Sequence, residues 1–258
     1  MNGPARPIRR FAAQQRLLWA TLVCLTLGAC ASTPPPRTID ADTPDRVPVV
    51  ETTANPLAIS DPFEGFNRRV YRFNALADRY VLMPAVQVYR TITPGFARTG
   101  VQNFFSNLGE INTFANSVLQ AKPESSAVTL SRFVINSTVG LGGLFDPAGA
   151  IGLEQRDEDL GQTLGYYGVG AGPYLVLPFF GPSSLRDSIG LAGDQGLFYA
   201  IDPLQLDEHP WARLPYWTLY VINTRDTVNF RYYQTGSPFE YTLVRLVYMN
   251  YRALQVEQ

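Results

Sequence analysis

The sequence predicts a mainly α-helical body, and three observations predict it. Two segments open with helix-start signals, Asp61-Pro62-Phe63-Glu64 and Ser237-Pro238-Phe239-Glu240. Apolar residues then recur at spacings of three and four. Strand evidence is confined to one good stretch, residues 174–180.

Each start signal has a physical reading. The Asp or Ser side chain accepts from a first-turn N–H, Pro suits the first turn, and Glu reaches back to the cap. After the first signal, Phe63, Phe66, Val70, Phe73, Ala77 and Tyr80 form one apolar stripe, with Arg68, Arg69, Arg72 and Arg79 mostly off it. After the last, Tyr241, Val244, Tyr248 and Tyr251 recur in the same way beside Arg245 and Arg252. Between them the pattern predicts helices over 96–108, over 110–120 ending at Lys122-Pro123, and over 124–139, the last apolar almost all round. A further helix is expected after Pro215.

Composition narrows the function. The 258 residues are 46% hydrophobic, 17% charged and 12% aromatic, which excludes a disordered chain and a coiled coil. A net charge of −1 supplies no field for holding nucleic acid. Two Cys and one His leave nothing to build a disulfide scaffold or a Cys/His zinc site. No cofactor is expected.

The N-terminus reads as an address. Arg6, Arg9, Arg10 and Arg16 precede an apolar run over 17–27, shorter than the roughly 20 residues a bilayer span requires. The run ends Leu27-Gly28-Ala29-Cys30, which resembles a bacterial lipobox. Residues 1–29 are therefore expected to leave as a signal peptide, taking Cys24 with them, and Cys30 to carry lipid. Ala31 stands where an inner-membrane retention signal would place Asp, so the outer membrane is the expected destination. Residues 30–60, rich in Pro and Thr and free of aromatics, read as a solvated tether. One body is expected over 61–258.

Two stretches inside that body are unusual. Residues 139–153, VGLGGLFDPAGAIGL, carry one charge, Asp146; residues 161–185 carry none. Gly costs about 1 kcal/mol and Pro about 3 in a helix interior, so six Gly and three Pro argue against a transmembrane helix in the second. Bare irregular backbone is excluded from hydrocarbon, so these stretches are buried in protein, line a wet cavity or lie at an interface. The polar run Glu154–Asp159 between them reads as a solvated tip. Twenty Arg against the single Lys122 suit a membrane interface as well as a plain solvated face.

Searches for catalytic patterns return nothing that carries chemistry. G-x-S-x-G, H-E-x-x-H and the P-loop are missing, and Gly168-Val169-Gly170-Ala171-Gly172 is followed by Pro173 without a βαβ frame. His209, with Ser184 as an imaginable nucleophile, is a capping or core residue on this reading. The chain is not expected to be an enzyme.

Several long segments, in order, resemble the MlaA (VacJ) family of outer-membrane lipoproteins: Asp61 to Arg68, Asn136 to Asp146, Thr163 to Tyr174, Leu177 to Gly181, Leu185-Arg186-Asp187, Asn223-Thr224-Arg225 and Arg245 to Arg252. The resemblance covers nearly all of 61–252. It implies a ring-like bundle of amphipathic helices in one membrane leaflet, with a Gly/Pro-rich hairpin and loops lining a central channel. Phospholipids misplaced in the outer leaflet would pass through it to a periplasmic lipid-carrier protein, with trimeric porins as partners. The protein would sit in the outer membrane, lipid-anchored and facing the periplasm. The Pro-rich tether is longer than the resemblance requires, and the chain lacks the polar tail some members carry. As candidates, the 139–153 hairpin gates the channel, with Gly140, Gly142 and Gly143 as hinge beside Phe145 and Asp146, and Phe66, Asn67, Phe73 and Asn74 line its wall. A structural lipoprotein bracing porins and a membrane-anchored lipid hydrolase using His209 are the competing readings.

Overall fold

The structure is a computed structural model that describes residues 59–234 and 236–257. The readings made for the signal peptide, for Cys30 and for the tether up to residue 58 lie outside the described residues. Within them the fold is mainly helical. In chain order come α1 (Glu64–Ala77), a π-turn (Asp78–Leu82), α2 (Met83–Ile92), α3 (Gly95–Leu119), α4 (Pro123–Thr138) and α5 (Pro147–Ala150). Then follow α6 (Leu160–Tyr166), β1 (Tyr174–Leu177), β2 (Gly181–Ser184), α7 (Leu185–Ile201), α8 (Pro210–Thr227) and α9 (Glu240–Glu257). Among the described residues no helix is long and apolar enough to cross a membrane.

Several elements differ from the sequence expectation, each for a local reason. Phe63, not Asp61, holds the N-cap position of α1 and gives no side-chain cap. Asp61 instead takes Asn67 Nδ2 at 2.8 Å and Arg245 Nη1 at 3.0 Å, while Glu64 pairs with Arg68 at 2.6 Å. The helices expected over 96–108 and 110–120 are one, α3, because Asn107, Leu108 and Glu110 around Gly109 are all buried and hold the backbone straight through. Helix α8 starts at Pro210 and carries Pro215 inside it; Tyr216 and Tyr220, stacked with ring centroids 6.3 Å apart, pack its start against α3. The expected strand over 174–180 is a hairpin, with Tyr174 facing Ser184 and Leu177 facing Gly181. Its turn holds Phe179 at a φ of 67°. Helix α7 was not expected at all.

Pro84 explains the π-turn. A proline inside a helix lacks an N–H and its ring clashes with the carbonyl four residues back. The widened turn over Asp78–Leu82 absorbs both defects and lets α1 run on into α2.

Side-chain amides fix α1 to the hairpin. Asn67 donates to Tyr174 O at 3.0 Å and accepts from Val176 N at 2.9 Å. One helical repeat on, Asn74 donates to Leu177 O at 2.9 Å and accepts from Phe179 N at 2.8 Å. Helices α6 and α7 meet backbone to backbone: a Cβ at Gly190 would lie 2.3 Å from Gly161 N. Apolar packing is split between two small clusters. Val70, Tyr71, Tyr174, Val176 and Tyr241 form one; Phe105, Leu108 and Phe198 form the other.

Candidate functional site

The polarity of the described fold is inverted. Its buried set holds 22 polar or charged residues against 13 hydrophobic ones, and 38 large hydrophobic side chains are exposed. A water-soluble domain buries the aliphatic residues first and leaves charges outside. Helix α1 displays the inversion in four turns. Asn67, Val70, Tyr71 and Asn74 are buried, whereas Phe66 is 56% exposed and Phe73 46%. The α3–α4 seam repeats it. Asn107 donates to Ser137 at 2.9 Å, Ser117 meets Ser125 at 3.0 Å and Arg132 Nε donates to Glu110 Oε1 at 2.7 Å, while Val118, Leu119, Leu130 and Val134 face out.

The polar interior is continuous. Lys122 pairs with Glu158 at 2.7 Å; Gln120 donates to Glu158 at 2.8 Å and to Thr163 at 3.1 Å. Thr163 donates to Asn116 at 2.8 Å, and Asn116 to Asp194 at 2.9 Å. Arg252 then spans Asp159, at 2.8 and 2.9 Å, and Asp187, at 3.0 Å, which also receives Arg186 and Tyr248. Two clefts open along this network. One of about 780 Å³ is bordered by Lys122, Arg156, Asp157 and Glu158; one of about 330 Å³ is bordered by Asp159, Asp187, Asp194 and Arg252. Asp157, Tyr251 and Gln255 border both. Of the run read as a solvated tip, Glu154, Gln155, Arg156 and Asp157 are exposed, but Glu158 and Asp159 turn inward, where Lys122 pairs with Glu158 and Arg252 bridges Asp159 and Asp187.

The buried acids divide by their partners. Burial alone would raise Asp187, yet hydrogen bonds from Arg252 and Ser184 and the charges of Arg252 and Arg186 hold it below the ordinary aspartate value. Burial raises Asp194, and the Leu160 N–H and Asn116 amide only partly offset it. Burial likewise raises Glu110 against the pull of Arg132, and Glu110 Oε2 has no hydrogen-bond partner.

The 139–153 segment is anchored at its base and apolar at its tip. Gly143, at a φ of 91°, lets Asn107 approach to 2.7 Å of where a Cβ would sit, and a Cβ at Gly140 would strike Phe145 O at 2.5 Å. Gly142 lies in open space at a φ of 72°. Asp146 caps α5 through Gly149 N at 2.9 Å and accepts from Asn136 at 2.8 Å and Arg132 at 3.3 Å. Leu141, Leu144 and Phe145 are exposed.

Of the wall candidates, Phe66 and Phe73 stand on the exposed face of α1, whereas Asn67 and Asn74 are buried and hold the hairpin backbone. Reasoning from the sequence passed over Asn116, Gln120, Thr163, Asp187, Asp194 and Arg252; their shared signal was polar residues at helical spacing inside otherwise apolar segments. Ser184 is buried and accepts from Asp187 N as the cap of α7, and His209 is exposed beside Trp211.

A family model described as MlaA lipoprotein matches residues 59–255. The chain is 41% identical over 174 residues to the intermembrane phospholipid transport system lipoprotein MlaA of Escherichia coli K12, covering 64% of this chain and 66% of that protein. An uncharacterised Rickettsia felis protein is 39% identical over 153 residues, covering 59% of this chain and 60% of that protein. The match therefore spans somewhat under two thirds of these relatives. A solved chain described under "Structural basis for maintenance of bacterial outer membrane lipid asymmetry" superposes with a TM-score of 0.62 at 32% identity, covering 76% of this chain and 99% of that one.

Proposed function

Because the chain belongs to the MlaA lipoprotein family, we propose that it removes phospholipids misplaced in the outer leaflet of the outer membrane and passes them to a periplasmic carrier. The inverted polarity carries this reading: an apolar exterior around a polar interior suits a body immersed in lipid that offers a headgroup a wet route. The relatives named for phospholipid transport support it, as does the likeness to a structure described for outer-membrane lipid asymmetry.

In this reading the helices form a ring in the periplasmic leaflet, tied by acyl chains on Cys30 and held by trimeric porins. Phe66, Phe73 and their neighbours face acyl chains. The clefts around Asp159, Asp187 and Arg252 belong to the passage, and the 139–153 segment gates it about Gly140, Gly142 and Gly143. The chain itself performs no turnover chemistry and holds no cofactor.

Deleting the gene and measuring phospholipid exposed on intact cells tests the proposal. Exposed phospholipid is expected to rise and to fall again when the wild-type chain or its His209→Ala variant is restored. An unchanged level would reject transport in favour of porin bracing. Restoration by wild type but not by His209→Ala would favour the hydrolase.

A further inference from the structure

Among the described residues there are fifteen Lys and Arg side chains, and eleven of them pair with a carboxylate. The four that do not are Arg69, Arg72, Arg79 and Arg231. Three of these four, all exposed, border one cleft of about 600 Å³ beside the π-turn. The carboxylate in that cleft, Asp78, is occupied on both oxygens by Arg225. Among the described residues, the cleft therefore holds three guanidinium charges with no carboxylate paired to them. Arg72 and Arg79 lie seven residues apart on one helical side, and the widened turn carries Arg79; such turns recur at functional sites.

Arg231 also borders a second groove, of about 410 Å³, formed with Phe230, Leu243, Val247 and Tyr251. Glu240, on its rim, already accepts from Tyr71 at 2.7 Å. One arginine thus joins a cationic cleft to an apolar groove, an arrangement complementary to a phosphate with an acyl chain attached.

We infer that Arg72, Arg79 and Arg231 bind the phosphate of an anionic phospholipid, with an acyl chain lying along α9. A guanidinium meets two phosphate oxygens at once. A zwitterionic lipid brings an ammonium that these three charges repel, so the site selects phosphatidylglycerol-type headgroups over phosphatidylcholine. The inference rests on the lipid-transport reading and adds a headgroup preference to it.

The test uses the full lipidated protein in mild detergent, equilibrated with micelles carrying equal amounts of phosphatidylglycerol and phosphatidylcholine, and quantifies the bound lipid. Wild type is expected to enrich phosphatidylglycerol. Arg72→Gln, Arg79→Gln and Arg231→Gln are each expected to lower that enrichment about fivefold, with Arg→Lys variants recovering much of it and Arg69→Gln leaving it unchanged. The inference falls if the triple Gln variant keeps the enrichment, if Arg69→Gln loses as much, or if inorganic phosphate displaces the lipid outright and so marks a free-anion site. Equal binding of both lipids by wild type overturns the inference while leaving transport intact. Retention of neither lipid overturns the transport reading as well.

Discussion

Arg132 and Glu110 face each other across the α3–α4 seam at 2.7 Å, and both side chains are almost wholly buried. The same guanidinium donates to Leu153 O and reaches Asp146, so one residue holds the far end and the middle of the 139–153 segment. Removing one partner of a buried pair leaves a lone charge. Arg132→Met is expected to cost about 3–5 kcal/mol. Adding Glu110→Gln should restore part of that loss, because the stranded carboxylate is then gone. Denaturant unfolding of both variants in one detergent gives the comparison.

Glycine spacing in α7 offers a paired test. Gly190→Ala places a methyl against the Gly161 backbone, where nothing can yield cheaply, and is expected to cost about 2–3 kcal/mol. Gly196→Ala in the same helix meets open space and is expected to be neutral or to stabilise by about 0.5–1 kcal/mol. Melting temperatures rank the two against wild type.

Asp187 makes stability depend on pH in a stated direction. Its folded value lies below the ordinary 3.8, so its contribution is present above pH 3.8 and disappears as pH falls through the folded value. Asp187→Asn should therefore cost about 2–3 kcal/mol at pH 7. The gap to wild type should close in acid as the wild-type carboxyl takes up its proton. Parallel stability curves across pH 2–7 would show that the carboxylate charge contributes nothing.

The apolar face of α1 should govern membrane residence without governing the fold. Phe66→Ser and Phe73→Ser remove exposed rings, so each is expected to weaken binding to lipid vesicles by about 2 kcal/mol with little change in melting temperature. Vesicle flotation alongside thermal unfolding separates the two effects.

Locking the segment proposed as a gate supplies a fifth prediction. Asn103 donates to Leu144 O at 3.2 Å, so α3 and the tip of the segment already touch. A disulfide between Asn103→Cys and Leu144→Cys is expected to leave phospholipid on the outer leaflet and to release it on reduction. Transport that continues with the bond formed would remove the gating role.

Helices α2, α5, α6 and α7 were not legible in the sequence, whereas five of the longer helices, α1, α3, α4, α8 and α9, were so at least in part, because capping residues, prolines and 3–4 spacing act locally. Helix α4 illustrates it, its ends set by Lys122-Pro123 and by the glycines after Thr138. The facing of those helices was not legible. Spacing shows that Phe63, Phe66 and Phe73 share a side, but in water that side turns inward and in lipid it turns outward, and the spacing is the same for either solvent. For the same reason spacing alone does not mark Asn116, Thr163 and Asp194 as parts of one interior network; their mutual hydrogen bonds do. Asp61 looked like a cap because capping needs only the right residue type, whereas its partners Tyr241 and Arg245 lie at the other end of the chain.

That distance has a consequence for how the molecule is made. Asp61 cannot settle until residues 241–245 have been delivered, since Tyr241 and Arg245 supply two of its three side-chain partners. A nascent chain emerging from its amino end must wait, unfinished and with greasy faces bare, for its last stretch to arrive. Truncation ahead of Tyr241 should thus yield a product that is degraded in the cell, however sound each early helix is by itself.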